Sequence, residues 1–226
     1  MKIVTYATHS FGTFPELQKH EDIVILGYGT KWEGFIKKAK TILEYLNTLP
    51  DHEIVVIIDG FDSVIKKTDN LIDVFESLDC KVLVSLNDAT EITGKLPSSI
   101  EKYIHYKMFN YCQNNISACA GLIMGYVEYL KIVYQTIIDG PSDDDQRNLN
   151  LACSKLPFLK IDTDHVIFQN CANDKCIEDS HAYFCQKPGS ITFHRLKRVI
   201  FEYIQFFIPE IIILLIMIII IRYICK

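Results

Sequence analysis

The stretch Ile54-Val55-Val56-Ile57-Ile58-Asp59-Gly60-Phe61-Asp62 is a continuous apolar run that ends in two carboxylates. A run of β-branched residues of this length is typical of a strand buried on both faces, as in the middle of a parallel sheet. Ligands of open α/β sheets bind just beyond the carboxyl ends of such strands. Asp59 and Asp62 therefore form a candidate site of hard oxygen ligands for a divalent cation and the phosphates that it carries.

Length and composition are typical of a folded domain. The 226 residues can form one domain with a substantial core, and the 49% hydrophobic and 12% aromatic residues exclude a disordered chain. A formal net charge of -5, with no basic stripe outside the C-terminal region, argues against nucleic acid as a partner. Residues 1–8 are too short and too polar for a signal peptide, and we expect them to form the first strand.

Strand and helix patterns alternate along the chain. Strands are predicted at 2–7, 23–26, 53–59, 81–86, 120–125, 159–161, 166–168 and 190–194. Helices are predicted at 36–46, 71–78 and 127–138, with a further helix that starts at 141–142. This alternation predicts an α/β fold with a Rossmann-like, mostly parallel central sheet and flanking helices. Segment 87–115 has an irregular, aromatic-rich pattern, and we expect it to act as a lid.

The C-terminus carries a transmembrane pattern. Every residue from Ile211 to Ile221 is Ile, Leu or Met, and residues 203–224 would span roughly 33 Å as a helix at about 1.5 Å per residue. The alternative is a buried core helix, but such a helix normally keeps a polar face. Basic residues before the span favour a single-pass tail anchor with a cytosolic domain. The expected organisation is a domain at 1–197, followed by a basic juxtamembrane segment and anchor at 198–226.

The eight cysteines fall into groups with different interpretations. Several lie in apolar surroundings and are predicted to be small core residues: Cys80, Cys112, Cys119 and Cys153. Cys171, Cys176 and Cys185 occur near His181 and could form a zinc site. Their spacing matches no compact zinc pattern, so a loop of free thiols is the preferred interpretation.

The pair Asp59 and Asp62 is compatible with several chemistries. Asp59 could simply end the strand while Asp62 faces solvent, because isolated D-x-x-D spacing is common. A haloacid-dehalogenase-like phosphatase needs its two carboxylates one position closer together. A receiver domain needs an acidic pair after the first strand, where His9 and Ser10 stand. A nucleotide-sugar transferase uses such carboxylates to hold Mn²⁺ or Mg²⁺ on the diphosphate, which fits the spacing best.

Three further features are candidates for the same site. In Asp143-Asp144-Asp145-Gln146, a capping box from Ser142 to Asp145 would explain the spacing without any function. The acids could also bind an acceptor, or one of them could act as a base. His194 ends a predicted strand and would complete a Mn²⁺ shell if that strand lay beside Asp59 and Asp62. Trp32 either packs beneath a helix or forms a wall of a nucleotide pocket.

Five segments, in register along residues 1 to about 197, carry a family resemblance. They are Leu26-Gly27-Tyr28-Gly29 with Trp32, Ile57-Ile58-Asp59-Gly60-Phe61-Asp62-Ser63-Val64, Gly121-Leu122-Ile123-Met124-Gly125, Asp143-Asp144-Asp145-Gln146, and Asp164-His165 with Ile167-Phe168-Gln169-Asn170. The last predicted strand, which ends in His194, also fits. In this order they resemble the glycosyltransferase domain of procollagen lysyl hydroxylases and related collagen-type galactosyl- and glucosyltransferases.

The resemblance implies a GT-A fold and metal-dependent transfer of a hexose from a UDP-sugar. The acceptor would be a protein or a glycan, of the hydroxylysine or galactosyl-hydroxylysine type. The metal, Mn²⁺ or Mg²⁺, would be held by Asp59, Asp62 and His194. Donor-binding positions would be Gly27, Gly29, Trp32, Lys38 and Phe61, with Phe61 standing where the family has a tyrosine that stacks on uracil. Asp144 and Asp145 match the acidic pair near the sugar and the acceptor.

The sequence departs from this family at three places. Cys119 replaces an asparagine, Asn87 replaces a carboxylate, and the basic run 195–198 replaces a glycine-rich segment that helps to hold the diphosphate. These changes favour an alternative function, a catalytically silent, membrane-tethered module that binds a nucleotide sugar or a protein. A phosphatase or phosphotransferase built on Asp59 fits the spacing less well. A cytosolic domain also disagrees with a collagen acceptor, so donor sugar and acceptor stay open.

Overall fold

The stretch Ile54–Asp59 forms the third strand along the chain and lies in the middle of a six-stranded sheet. The structure is a computed structural model that describes residues 1–87, 98–113, 115–171, 173–187, 201 and 203–224. Nine strands occur in these ranges: β1 (Lys2–Tyr6), β2 (Ile23–Leu26), β3 (Ile54–Asp59), β4 (Ser63–Ile65), β5 (Val82–Asn87), β6 (Ser117–Tyr126), β7 (Leu159–Asp162), β8 (Phe168–Asn170) and β9 (Phe184–Gln186).

The central sheet has the strand order β2-β1-β3-β6-β5-β7. Strand β1 pairs in parallel with β2 and β3, and β5 pairs in parallel with β7. Strand β6 runs antiparallel to both of its neighbours, β3 and β5. The α/β class and the mostly parallel central sheet are therefore confirmed. Because Tyr6 pairs with Leu26 on one side and with Asp59 on the other, three strands end together at one edge of the sheet.

Helices flank the sheet and explain why β3 is apolar throughout. The described helices are α1 (Phe14–Leu17), α2 (Phe35–Leu46), α3 (Leu71–Ser77), α4 (Ser98–Phe109), α5 (Val127–Ile138), α6 (Asp145–Cys153), α7 (Asp174–Asp179) and α8 (Ile208–Ile224), with a 3-10 turn at Ile204–Phe207. Val55 and Ile57 face the core that includes α2 and α5, whereas Val56 and Ile58 face the core that includes α3. Alternate side chains of β3 thus fill two separate cores, as a doubly covered strand requires.

A second, smaller sheet has the order β4-β9-β8. Ser63 of β4 is in register with Gln186 of β9, and the Lys187 amide donates a hydrogen bond to the Asp62 carbonyl at 2.8 Å. This sheet places the end of β9 directly beside the turn that follows β3. Gln186, at the end of β9, therefore lies next to Asp59 and Asp62.

Several predicted elements differ from the structure. The interpretation of 87–115 as irregular is wrong for 98–109, which forms α4. Its buried face is narrow, with His105 and Met108 at its centre, so the apolar periodicity in the sequence is weak. The helix predicted to start at 141–142 begins at Asp145, and the strand predicted at 166–168 lies at Phe168–Asn170. The strand predicted at 190–194 and the domain boundary at 197 lie outside the described residues.

The structure differs from the prediction for two of the cysteines. Cys112 and Cys153, predicted to be separate core residues, form a disulfide with a Cα–Cα distance of 5.3 Å that ties the loop after α4 to the end of α6. Disulfides are typical of oxidising compartments, in contrast to the expected cytosolic placement, which stays a prediction. Cys171 and Cys185 are buried, next to Cys176. Within the described ranges no group of three His, Cys, Asp or Glu side chains could hold a metal, so the zinc alternative gains no support.

The C-terminal apolar segment is helical and projects from the domain. Residues Ile204–Tyr223 have a mean hydropathy of 2.9 with none of the span buried, so this helix is long and apolar enough to cross a membrane. Its domain end is held at Glu210, which accepts a hydrogen bond from the Tyr103 hydroxyl and pairs with Lys107 at 2.7 Å. The apolar helix and α4 therefore meet where the domain ends.

Candidate functional site

The site begins at the turn that follows β3. Gly60 allows the chain to turn there, because a Cβ on this residue would stand 2.8 Å from both the Tyr6 carbonyl oxygen and the Ala7 Cβ. Asp59 and Asp62 lie on either side of this turn. Both carboxylates accept hydrogen bonds from one amide nitrogen, Nε2 of Gln186, at 3.2 and 3.1 Å. The structure thus brings the two predicted acids together at a single point.

Gln186 is a site residue that the sequence reasoning missed. Its Nε2 faces the two carboxylates, and its Oε1 accepts a hydrogen bond from the Cys119 thiol at 3.4 Å. Burial raises the pKa of Cys119 to about 12, which keeps the thiol protonated and able to donate. Cys119, where the resemblance expects an asparagine, therefore still makes a polar contact in this site. No motif spacing indicates Gln186, because only the pairing of β9 with β4 places it there.

Gly121 leaves the space that Gln186 and the Asp59 carboxylate occupy. A Cβ at this position would lie 2.4 Å from Gln186 Oε1, 2.5 Å from its Nε2 and 2.7 Å from Asp59 Oδ2. We expect Gly121→Ala to displace these groups. If the two carboxylates hold Mn²⁺ and UDP, as the resemblance implies, this displacement should weaken binding of UDP in the presence of Mn²⁺ by about tenfold or more, as loss of the partners that orient metal ligands typically does. Calorimetry on the full chain measures this effect.

Gly125→Ala is the matched control for Gly121→Ala on the same strand. Its Cβ would meet the Lys81 carbonyl oxygen at 2.7 Å and Val82 Cγ2 at 2.9 Å, away from the carboxylates. This variant should lose stability while its folded fraction gives the same titration as the wild type. Equal binding by Gly121→Ala and the wild type would show that the position of Gln186 does not matter.

Lys38 connects the two acidic parts of the site. It lies on α2 with 7% of its side chain exposed, and its Nζ is 2.5 Å from Asp59 Oδ1 and 3.3 Å from Asp145 Oδ2. Burial alone would lower the pKa of Lys38, but the carboxylates of Asp59 and Asp145 outweigh burial and hold this pKa well above its usual range. The ammonium group is therefore charged and joins β3 to α6.

The acidic segment before α6 is organised differently from the predicted capping box. Asp144, and not Ser142, is the N-cap, since its side chain accepts a hydrogen bond from the Arg147 amide at 2.7 Å. Asp144 also accepts a hydrogen bond from the Tyr203 hydroxyl. Asp145 is buried, whereas Asp143 is exposed. Helix capping therefore explains Asp144 only. Asp145 is buried and faces Lys38.

The titration of Asp145 gives a testable pH dependence. Burial raises the pKa of Asp145 from its ordinary 3.8 to about 6; Lys38 lowers this pKa, but the negative charges of Asp144 and Asp59 raise it further. A raised folded-state pKa means that the folded chain holds a proton that the unfolded chain has lost. The resulting stabilisation is complete below the unfolded-state value and disappears as the pH rises through about 6.

We therefore expect the unfolding free energy of the wild type, relative to Asp145→Asn, to increase as the pH falls from about 7 to about 4. Urea unfolding of the full chain in detergent measures this difference. Asp143→Asn, which removes an exposed carboxylate two residues away, should show no such trend. A flat difference for Asp145→Asn would show that this carboxyl group keeps its ordinary titration.

Aromatic residues line the same edge of the sheet. The Phe61 ring lies 5.0 Å from the His9 ring and 6.1 Å from that of Phe11, two neighbours that the sequence reasoning missed. Trp32, with 37% of its surface exposed, packs its ring against Tyr6 at 5.9 Å. These rings follow the carboxyl ends of β1, β2 and β3, as Asp59 does. The role of Phe61 and Trp32 in binding a nucleotide stays a prediction.

The loop after β2 contains the two predicted glycines. Gly27 has a φ of 75°, and a Cβ there would lie 2.6 Å from the Tyr6 ring, so glycine is required at this position. Gly29 has a φ of 80° with nothing within 4 Å of a Cβ, and its amide donates to the Thr8 carbonyl at 3.0 Å. Both glycines thus hold the loop against the end of β1, on the edge where the acids lie.

The described residues supply part of a cation site. Asp59 and Asp62 offer carboxylate oxygens, the ligand type that Mg²⁺ prefers, and these oxygens converge on one amide nitrogen. His194, the predicted third ligand, lies outside the described residues. In proteins one or two carboxylates often hold Mg²⁺ together with phosphate oxygens of a substrate. The two acids therefore fit a cation that arrives with a nucleotide diphosphate.

Comparisons with known proteins give similarity of structure only. No protein-family model matches the sequence, and no curated protein matches it. A glycosyltransferase involved in the glycosylation of the major capsid of PBCV-1 is similar at 10% identity and a TM-score of 0.48, over 88% of this chain and 98% of that one. The bifunctional glycosyltransferase WbbM is similar at 11% identity and a TM-score of 0.44, over 78% of this chain and 37% of that one. Identities and TM-scores this low do not support a function for this chain, so any proposal of function depends on the site residues.

Proposed function

We propose that this chain is a metal-dependent glycosyltransferase that transfers a hexose from a UDP-sugar to a hydroxyl group of a protein or glycan acceptor. The observation that carries the proposal is the convergence of Asp59 and Asp62 on one amide at the carboxyl end of β3. Beside them, Lys38 joins Asp59 to Asp145. A paired acidic site for a cation and a buried acid of raised pKa are the parts that such a transfer needs.

Each part of the site has a role in this proposal. Asp59 and Asp62 would hold Mn²⁺ or Mg²⁺, and the cation would neutralise the charge of the departing UDP. Phe61 and Trp32 offer ring faces to the nucleotide, and the loop of Gly27 and Gly29 offers backbone close to it.

Asp145 takes the proton of the acceptor hydroxyl as its oxygen bonds to the anomeric carbon and the bond from that carbon to UDP breaks. A carboxyl group with a pKa of about 6 is suited to this role near neutral pH. Asp144 holds the start of α6 and thereby positions Asp145.

One observation favours a second function, binding without transfer. Both carboxylate oxygens of Asp59 already have partners within the protein, since Oδ1 faces Lys38 at 2.5 Å and Oδ2 faces Gln186 at 3.2 Å. A cation must displace the amide, and a site that keeps the amide in place would bind a nucleotide sugar weakly and without turnover. This alternative is the catalytically silent module, tethered by its apolar helix.

A donor screen tests the proposal. Full-length chain in detergent is incubated with Mn²⁺ and a panel of UDP-hexoses, and the release of UDP is measured with and without candidate acceptors. We expect UDP release from at least one donor, its loss on chelation, and its loss in Asp145→Asn. Binding of UDP without release from any donor would support the silent module, and neither binding nor release would overturn both functions.

We also propose that α8 attaches the chain to a membrane. Its first turn is held by Tyr103 and Lys107 of the domain, while the following residues project without burial. An apolar helix that no part of the described domain covers is stable only in lipid or detergent. The side of the membrane on which the domain lies stays a prediction.

A further inference from the structure

Helix α4 presents an exposed face of unusual composition. Ile100, Tyr103 and Tyr106 are 46%, 43% and 42% exposed, and they recur at a spacing of three residues on the side opposite the buried His105. Lys102 and Lys107 flank them on the same side, and Lys107 Nζ lies 5.6 Å from the centre of the Tyr103 ring. We refer to these five residues as the α4 face. Aromatic, aliphatic and lysine side chains together are typical of segments at a membrane–water interface.

Contacts with α8 fix the position of the α4 face relative to the proposed membrane. Tyr103 and Lys107 both bind Glu210, which lies in the first turn of α8. The Phe109 ring, at the end of α4, packs against the Tyr203 ring at 5.6 Å, just before the apolar helix begins. The α4 face therefore lies at the depth where the chain passes from the domain into the apolar helix.

Further contacts hold α4 rigidly on the domain. The guanidinium group of Arg147 donates hydrogen bonds to the carbonyl oxygens of Lys107 and Met108 at 2.7 and 2.8 Å. His105 and Met108 are buried against the domain. Because α4 is held by α6 on one side and by the start of α8 on the other, the α4 face keeps a fixed position relative to the start of α8.

From these contacts we infer that the α4 face is a second membrane-binding surface, which lies in the interfacial zone of the bilayer that receives α8. Tyr103 and Tyr106 lie at the level of the lipid headgroups, Ile100 reaches the acyl boundary, and the exposed Lys102 meets lipid phosphates, while Lys107 stays paired with Glu210. The inference rests on the proposed membrane attachment of α8 and is independent of sugar transfer. It adds a surface to the anchor and fixes how the domain is oriented on the membrane.

Fluorescence quenching by brominated lipids tests this inference. Trp32, the single tryptophan, is replaced by phenylalanine, and one tryptophan is then introduced by Ile100→Trp, Tyr106→Trp, Ile132→Trp or Met217→Trp. Ile132, on α5, is 47% exposed and is the matched surface control, and Met217 reports insertion of α8. Each full-length variant is reconstituted in phosphatidylcholine vesicles whose acyl chains carry bromine near the headgroup, and Met217→Trp is reconstituted in vesicles whose acyl chains carry bromine near the bilayer centre.

We expect the tryptophans at 100 and 106 to be quenched at least about twofold more than the tryptophan at 132, with a blue-shifted emission. Quenching at 217 without extra quenching at 100 and 106 would overturn the α4 face as a membrane surface and keep the anchor. No quenching at 217 would overturn the anchor and the surface together. Protection of residues 100 and 106 from an aqueous quencher, without quenching by lipid, would instead indicate a protein partner and would also overturn the inference.

Discussion

Asp59→Asn should abolish Mn²⁺-dependent UDP binding and UDP release by the full chain. Loss of groups that only orient a metal ligand already costs about 10–100-fold in metal affinity, so loss of a ligand should cost about 100-fold or more. Asparagine keeps the shape of the side chain but removes the charge that faces both Lys38 and Gln186. Isothermal titration of UDP with and without Mn²⁺, together with the UDP-release assay, measures the effect.

The control for this variant is Asp51→Asn. Asp51 pairs with Lys131 at 2.7 Å, and 69% of its side chain is exposed, so the substitution removes the same charge from a surface pair. We expect Asp51→Asn to bind and release UDP like the wild type. If Asp59→Asn retained Mn²⁺-dependent binding, Asp59 would be a structural partner of Lys38 and the cation site would have to lie elsewhere.

Lys38→Met should destabilise the chain by about 3–5 kcal/mol, the usual result of removing one member of a buried ion pair. The substitution leaves Asp59 and Asp145 without the cation that both of them face, and Asp145 is buried. Lys37→Met is the control, because Lys37 is exposed on the same helix. Urea unfolding of the two variants in detergent compares their free energies.

The pH dependence of Lys38→Met identifies the charge that causes the loss. Without Lys38 the pKa of Asp145 should rise beyond its wild-type value of about 6, so protonation should begin to restore part of the lost stability already above that pH as the pH falls. Equal stability of Lys38→Met and Lys37→Met at neutral pH would contradict the view that Lys38 is the central cation of the site.

The chemistry of the strand ends could be predicted from the sequence because it depends on local patterns. The apolar run before Asp59 predicts a doubly covered strand, and the structure places its alternate side chains in two cores. The glycines at 27 and 29 precede a loop on the same edge, since parallel strands bring their carboxyl ends together. Local pattern and strand direction were enough to place Asp59, Asp62, Phe61 and this loop on one edge.

Other parts of the site depend on contacts between distant segments. Gln186 reaches Asp59 and Asp62 only through the register of β9 with β4, more than 120 residues along the chain. The disulfide between Cys112 and Cys153 joins elements that no cysteine spacing pairs. Helix α4 has too narrow a buried face to give a periodic signal. The position of Gln186, the disulfide and helix α4 all depend on tertiary packing, and the local sequence does not predict them.

The contacts of Tyr203 have a practical consequence for preparing this protein. Tyr203 donates to Asp144, and the nearby Phe206 ring packs 3.8 Å from the guanidinium group of Arg147. A chain shortened before Tyr203 to make it water-soluble would lose both contacts at the start of α6, next to Asp145. Exchanging the exposed apolar residues after Glu210 for polar ones, while retaining 203–210, would remove the apolar surface and keep the contacts of Tyr203 and Phe206 with the start of α6.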